Sequence, residues 1–367
     1  MKKIVKLLKS GFIYIDFKLL IPILILMIIG ILAVTDVSAP EAMDTFSDRF
    51  YFVKQQAIWM LIGLVCYFVV SQMNVKIWEK LAIMIFACAV VFLILVLIPQ
   101  LSIMTLGARR WIRIGFLRFQ PSEFAKLALC VYLAKLSATK KNIFAYIVPI
   151  AITVGLIMLQ PDLGTSIVII LISFTQIFIS GFDLRKILLI GLGGLAIVSL
   201  LIFTSDYRRE RVTSFLNPFS NNDAGSYHVK QVLYSLALGG VSGSGIGQSK
   251  QKYLFLPEAT TDSIFAIISE ETGFVGSFTI IVIYLFITLR MLVRSKEIKN
   301  QFLKTLALGI FAWFFGQLFV NLGAISALIP FTGVPLPFIS YGGSTLVSML
   351  IAFGIFNSIL KYSADYE

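Results

Sequence analysis

The chain of 367 residues is 58% hydrophobic and only 14% charged, holds 32 phenylalanines, and still carries a formal charge of +12. That balance excludes a soluble globular domain and points to an integral membrane protein, with no nucleic-acid partner expected. Cys66, Cys88 and Cys130 each lie inside an apolar stretch without disulfide or metal-ligand spacing, so they read as packing residues.

A membrane-crossing helix needs about 20 mostly apolar residues. Ten such spans are predicted, centred near residues 26, 62, 90, 131, 152, 172, 195, 277, 315 and 352. The first resembles a signal peptide in outline, but its apolar core starts well into the chain and further spans follow, so it reads as an uncleaved anchor. Most of the 31 lysines and arginines fall in segments that share a side with the N-terminus. The positive-inside rule assigns that side to the cytoplasm, and ten spans then return the C-terminus to it. With no fixed-period repeat, the expectation is one all-α polytopic domain over 1–367.

Cations on the outer side concentrate in 109–126 and 208–252, a candidate anion site. In the first cluster Arg109, Arg110, Arg113 and Arg118 surround Trp111, a grouping that suits phosphate oxygens or anchoring at lipid headgroups. Pro121 opens a helix on which Glu123 and Lys126, three residues apart, meet as either a stabilising pair or part of a polar cavity. "QPDLGTS" interrupts helix at Pro161 and Gly164 and turns Asp162 toward water or protein rather than lipid. "GVPLPFISYGGS", 333–344, does the same between the last two spans.

The second cluster lies in a large outer loop, 205–262, between the seventh and eighth spans. Val229, Val232, Leu233 and Leu236 predict a short amphipathic helix over 227–238, on which His228, the only histidine, is an interfacial residue. "GGVSGSGIGQ" reads as a tight loop with exposed amides, since it lacks the lysine and the strand-to-helix setting of a P-loop. Thr261 or Asp262 suits the N-cap of the eighth span. Helical spacing then aligns Asp262 with Ala266, Ser269, Gly273 and Gly276, small residues that allow close packing or leave a cavity. Glu270 and Glu271 lie deeper, as a buried pair that fixes packing or as catalytic groups, and Glu258 has no evident role.

Four segments, "GARRWIRIGFLRFQPSEFAK", "QPDLGTS", "GQSKQKYLFLPEATTDSIFAIISEETGFVGS" and "LPFISYGGS", resemble in order the signature segments of the SEDS family, the FtsW, RodA and SpoVE proteins. "GQSKQKY" followed by "LPEA" leans toward the FtsW division type. The resemblance implies a peptidoglycan polymerase of the bacterial cytoplasmic membrane, joining lipid II units at its outer face. Asp262 matches the family's essential aspartate and would be the general base. Arg109, Arg110 and Lys126 would hold diphosphate, with Arg211, Lys250 and Lys252 on the second segment. Glu123 would position Lys126, and Asp162 would line the cavity. A divalent cation, Mg or Mn, is implied without a readable ligand set, and a class B penicillin-binding protein and other division or elongation proteins are the implied partners. Where the family often reads His-Thr-Asp-Phe, this chain has Thr260, Thr261, Asp262 and Ser263, so no histidine beside the aspartate carries over. A lipid II flippase and a non-catalytic scaffold are the alternatives; clustering of the polar groups at one face favours the polymerase.

Overall fold

The computed structural model describes residues 14–105, 107–114, 117–139, 142–203, 209, 213–215, 224–253 and 255–366. Among these the chain forms α1 (Phe17–Val37), α2 (Ala39–Phe46), α3 (Tyr51–Gln72), α4 (Val75–Leu95), α5 (Pro121–Ala138), α6 (Ile143–Met158), α7 (Leu163–Ile179), α8 (Leu184–Phe203), α9 (Ala224–Gly239), α10 (Ile264–Lys296), α11 (Gln301–Ile325) and α12 (Gly343–Tyr366). α1, α3, α4, α10, α11 and α12 are long and apolar enough to cross a membrane, and α6 and α7 are shorter apolar helices. Hydrocarbon offers no partners to the backbone, so apolar runs of this length close their hydrogen bonds internally as helix. Polar residues fix several starts: Asp16 accepts from the Lys18 amide, Asn74 from Lys76 and Asn300 from Leu303.

α11 and α12 form the centre of the bundle, 78% and 83% buried along their apolar windows, against 22% and 17% for α3 and α4, which face outward. α12 packs on α3, α11 on α5 and α7, and α10 on α1, α9 and α11. A main core gathers residues such as Leu26, Ile267, Trp313, Phe314 and Phe353. A second, between α4, α5, α6 and α7, holds Leu93, Leu129, Leu133 and Ile157.

The purely helical expectation needs one correction. β1 (Ser102–Thr105), β2 (Ala108–Ile114) and β3 (Leu117–Phe119) form an antiparallel meander. Its cause is a period-two alternation inside the basic segment, which sorts side chains to opposite faces of a strand. Ala108 and Ile112 are buried on one face, while Arg113 and its cross-strand neighbour Arg118 are exposed on the other.

α10 is also not one regular helix. Gly273 takes φ 65° and ψ −164°, conformations open to glycine alone, and breaks the helix two residues after Glu271. The amides of Ser244 and Gly245 reach the freed carbonyls of Glu270 and Glu271 at 2.9 and 3.0 Å, and Phe274 N–H donates to the Gly240 carbonyl at 2.9 Å. The glycine-rich loop is therefore a plug for a broken helix, its amides turned inward rather than left exposed.

Candidate active site

Asp262 is 8% exposed and sits in the turn before α10, one residue ahead of the cap position. The expected cap is corrected here: Ser263 holds that place, and its side chain makes no hydrogen bond to the helix amides. The stripe of small residues below serves close packing, since a side chain on Gly239 would strike the Ser269 carbonyl at 2.2 Å. Thr261 Oγ1 lies 2.5 Å from Asp262 Oδ1 and 2.9 Å from Glu258 Oε2, one hydroxyl between two carboxylates. On the opposite side Asp262 Oδ2 lies 3.2 Å from the position a Cβ on Gly333 would take. Asn321 Nδ2 donates both to the Asp262 carbonyl, at 2.9 Å, and to the Val334 carbonyl, at 2.8 Å, tying the aspartate's backbone to the 333–335 loop.

The other interrupted segments converge on the same loop. A side chain on Gly164 would meet Val334 Cγ2 at 2.5 Å and the Thr332 carbonyl at 2.7 Å, so the start of α7 rests directly on the loop that carries Gly333. Asp162 is the N-cap of α7: Oδ1 accepts from the Thr165 amide at 3.0 Å and Oδ2 from the Thr165 hydroxyl at 2.8 Å. Its carboxylate is thus engaged in holding the α6–α7 turn and does not line an open cavity. Tyr341, whose amide donates to the Thr260 carbonyl at 3.0 Å, closes the other edge. Burial, reinforced by Tyr51, pushes its hydroxyl up to about 12, with Arg118 acting in opposition. Burial likewise raises the Glu41 carboxyl, and the charge of Glu258 adds to it, which sets α2 beside the Asp262 turn.

Glu123 and Lys126 are 2% and 1% exposed and pair at 2.8 Å. Lys126 Nζ also donates to Gln317 Oε1 at 3.0 Å and stands 5.1 Å over the Trp313 ring. Gln317 in turn donates to the Pro335 carbonyl at 3.0 Å. The pair is a wall under the Asp262 loop, and burial keeps its charges from any ligand in the present conformation.

The period of β2 separates the four arginines of the first cluster. Arg110 turns inward, where Nε donates to the Gln160 carbonyl at 3.1 Å and Nη2 to the Pro161 carbonyl at 2.5 Å, a cation at the end of α6. Two of its nitrogens are thereby held by backbone carbonyls. Arg109, Arg113 and Arg118 share the opposite face, with Arg113 directly across from Arg118. Like charges placed opposite one another destabilise a sheet, and here two exposed guanidinium groups share one face. Neither Arg113 nor Arg118 was singled out from its neighbours by sequence; the strand alternation was the signal.

In the second cluster Lys252 is 6% exposed, with Nζ 2.7 Å from Asp36 Oδ1, 2.7 Å from the Gly247 carbonyl and 3.2 Å from Glu271 Oε1. The charge is met inside the protein by two carboxylates. Glu270 accepts from Ser249 Oγ at 2.7 Å and from the Lys250 amide at 3.0 Å, and Glu271 from the Ser249 amide at 3.1 Å. The two glutamates therefore organise the 247–252 turn. The Lys250 side chain is exposed, and Arg211 lies outside the described residues. His228, read as interfacial, instead meets Ser263, with 2.8 Å between Nε2 and Oγ. Among the described residues no three His, Cys, Asp or Glu side chains gather as a metal site.

What this arrangement offers is one aspartate fixed by backbone and hydroxyl contacts, beside a loop whose Tyr341 feels the charge of exposed Arg118. Residues 17–365 match the family model described as "Cell cycle protein", which covers FtsW, RodA and SpoVE. The stage V sporulation protein E of Bacillus subtilis (strain 168) is 36% identical over 359 residues, covering 95% of this chain and 97% of its own. A probable peptidoglycan glycosyltransferase FtsW of Pasteurella multocida (strain Pm70) is 37% identical over 352 residues, covering 93% and 89%. Among solved structures, a chain described under structural coordination of polymerization and crosslinking by a peptidoglycan synthase complex superposes with a TM-score of 0.77 at 26% identity, covering 95% of this chain and 98% of its own. The Thermus thermophilus rod shape determining protein RodA shares the fold, with a TM-score of 0.72 at 24% identity over 96% of this chain and 98% of its own. The chain belongs to the FtsW/RodA/SpoVE family of cell cycle proteins.

Proposed function

We propose that this chain is a peptidoglycan glycosyltransferase, a multi-pass protein of the bacterial cytoplasmic membrane that joins lipid II disaccharide units into glycan strands at the outer face, for septal or other wall synthesis. Six of the ten expected spans coincide with helices long and apolar enough to cross a membrane, α1, α3, α4, α10, α11 and α12. The proposed topology adds α5 to α8 as crossing helices, with both termini in the cytoplasm and 205–262 outside, in one polytopic unit. The observation that carries the function is Asp262, a nearly buried carboxylate held by Thr261, Gly333 and Asn321 on the side of the bundle that also presents Arg109, Arg113, Arg118 and Lys250.

In this mechanism Asp262 takes the proton of the attacking sugar hydroxyl, whose oxygen forms the new bond at the anomeric carbon of the donor. The bond to undecaprenyl diphosphate breaks as the leaving oxygen takes the electron pair. Diphosphate is already a good leaving group, so one base and stabilising cations suffice, and a single displacement inverts the anomeric configuration. Arg109, Arg113, Arg118 and Lys250 supply the cations, while Glu123, Lys126 and Asp162 build the wall behind the base. Among the described residues no three His, Cys, Asp or Glu side chains gather to hold a divalent cation, so the diphosphate charge falls to these lysine and arginine side chains.

A class B penicillin-binding protein is the proposed partner for cross-linking, together with other division or elongation proteins. The test is extension of labelled lipid II by the purified protein with and without that partner. Asp262→Asn should abolish polymerisation while retaining the parent's thermal midpoint. Full polymerisation by that variant would sink the assignment. Movement of lipid II between leaflets without polymerisation would establish a flippase, and partner activation without either would establish a scaffold.

A further inference from the structure

We propose that His228 is a positioning residue for Asp262, acting through Ser263, an inference that rests on glycosyl transfer at Asp262. Serine is among the best residues for capping a helix. Ser263 occupies the cap of α10 and forgoes that bond; its hydroxyl, on a fully buried residue, meets His228 Nε2 at 2.8 Å instead. A local rule broken without local gain marks a functional constraint.

The contact is well placed to act on the aspartate. The Ser263 amide donates to the Glu258 carbonyl at 3.2 Å and its carbonyl accepts from Ala266 at 2.9 Å, so side chain and backbone are held together. The preceding carbonyl, that of Asp262, is the one Asn321 grips. On its other side the His228 ring lies 4.0 Å from the Phe331 ring, two residues before the glycine against Asp262 Oδ2. One imidazole thereby joins α9, the first turn of α10 and the loop on the far side of the base. α9 docks as well through buried Val229 and Val232 and through Gly239 against Ser269.

The experiment measures kcat and KM for lipid II, with the thermal midpoint, in the full-length protein and its partner. The variants are His228→Phe, His228→Gln, Ser263→Ala and His228→Phe combined with Ser263→Ala, run beside Asp262→Asn. A displaced base predicts a kcat loss on the order of 10- to 100-fold in His228→Phe and Ser263→Ala. KM and midpoint should stay at the parent values, His228→Gln should recover most of kcat, and the double variant should be no worse than the single ones. Parent-like kcat in His228→Phe, a rise in KM alone, additive losses in the double variant, or a midpoint that falls in step with activity without rescue by Gln would each overturn the proposal. An inactive Asp262→Asn beside a fully active His228→Phe removes only this inference; an active Asp262→Asn removes the glycosyl-transfer reading and this one with it.

Discussion

Asp262 Oδ2 lies 3.2 Å from the point where a side chain on Gly333 would begin. Gly333 also holds φ at +73°, a conformation that costs other residues about 1–2 kcal/mol. Gly333→Ala should therefore both strain the loop and push the carboxylate aside. The expected outcome is a fall in kcat on the order of 100-fold with a modest loss of stability, read by lipid II polymerisation and thermal unfolding in detergent.

Lys252 and Lys250 are two residues apart and should behave oppositely. Lys252→Met leaves Asp36 and Glu271 without their buried cation, and breaking a buried pair costs about 3–5 kcal/mol, so folded yield and thermal midpoint should drop. Lys250→Ala, whose side chain is exposed, should leave the midpoint unchanged and raise KM for lipid II. A stable Lys252→Met with raised KM would instead return Lys252 to the substrate.

The Glu123–Lys126 pair allows a sharper separation. Lys126→Met strands a carboxylate that is 2% exposed, and Glu123 Oε2 already has no partner among the described residues. The single change should cost about 3–5 kcal/mol, whereas Lys126→Met with Glu123→Gln should recover much of the stability. Recovery of the midpoint with activity still absent would show that the charges themselves serve the reaction.

Gly243 approaches the break in α10 so closely that a Cβ there would sit 2.1 Å from the Glu271 carbonyl oxygen, at φ +81°. Gly243→Ala should expel the plug from the kink and lower the thermal midpoint by several degrees. Gly193→Ala, where an added carbon meets nothing within 4 Å, is the control and should leave it unchanged.

The helices were legible because lipid imposes a single rule on the backbone, and long apolar runs obey it. Asp262 was visible as an acid at the head of a span, and its role came with the family segments around it. The protein partners of Arg110 and Lys252 were not legible, because a charge in an outer loop carries no mark of whether a carboxylate or carbonyl will reach it through the fold. The meander of β1, β2 and β3 went unseen for a related reason: a short alternation among arginines reads equally as a headgroup anchor.

By itself, then, the sequence determined the apolar helices, the interrupted segments between them and the aspartate at the head of α10. Tertiary structure alone decided which polar groups are partners. Asn321 reaches Asp262 across 59 residues, Lys252 reaches Asp36 across 216, and His228 reaches Ser263 across 35. Contacts at such separations depend on how helices cross, and the crossing is set by packing of α11 and α12 at the centre of the bundle, a sum of many weak contacts with no local signature in the chain.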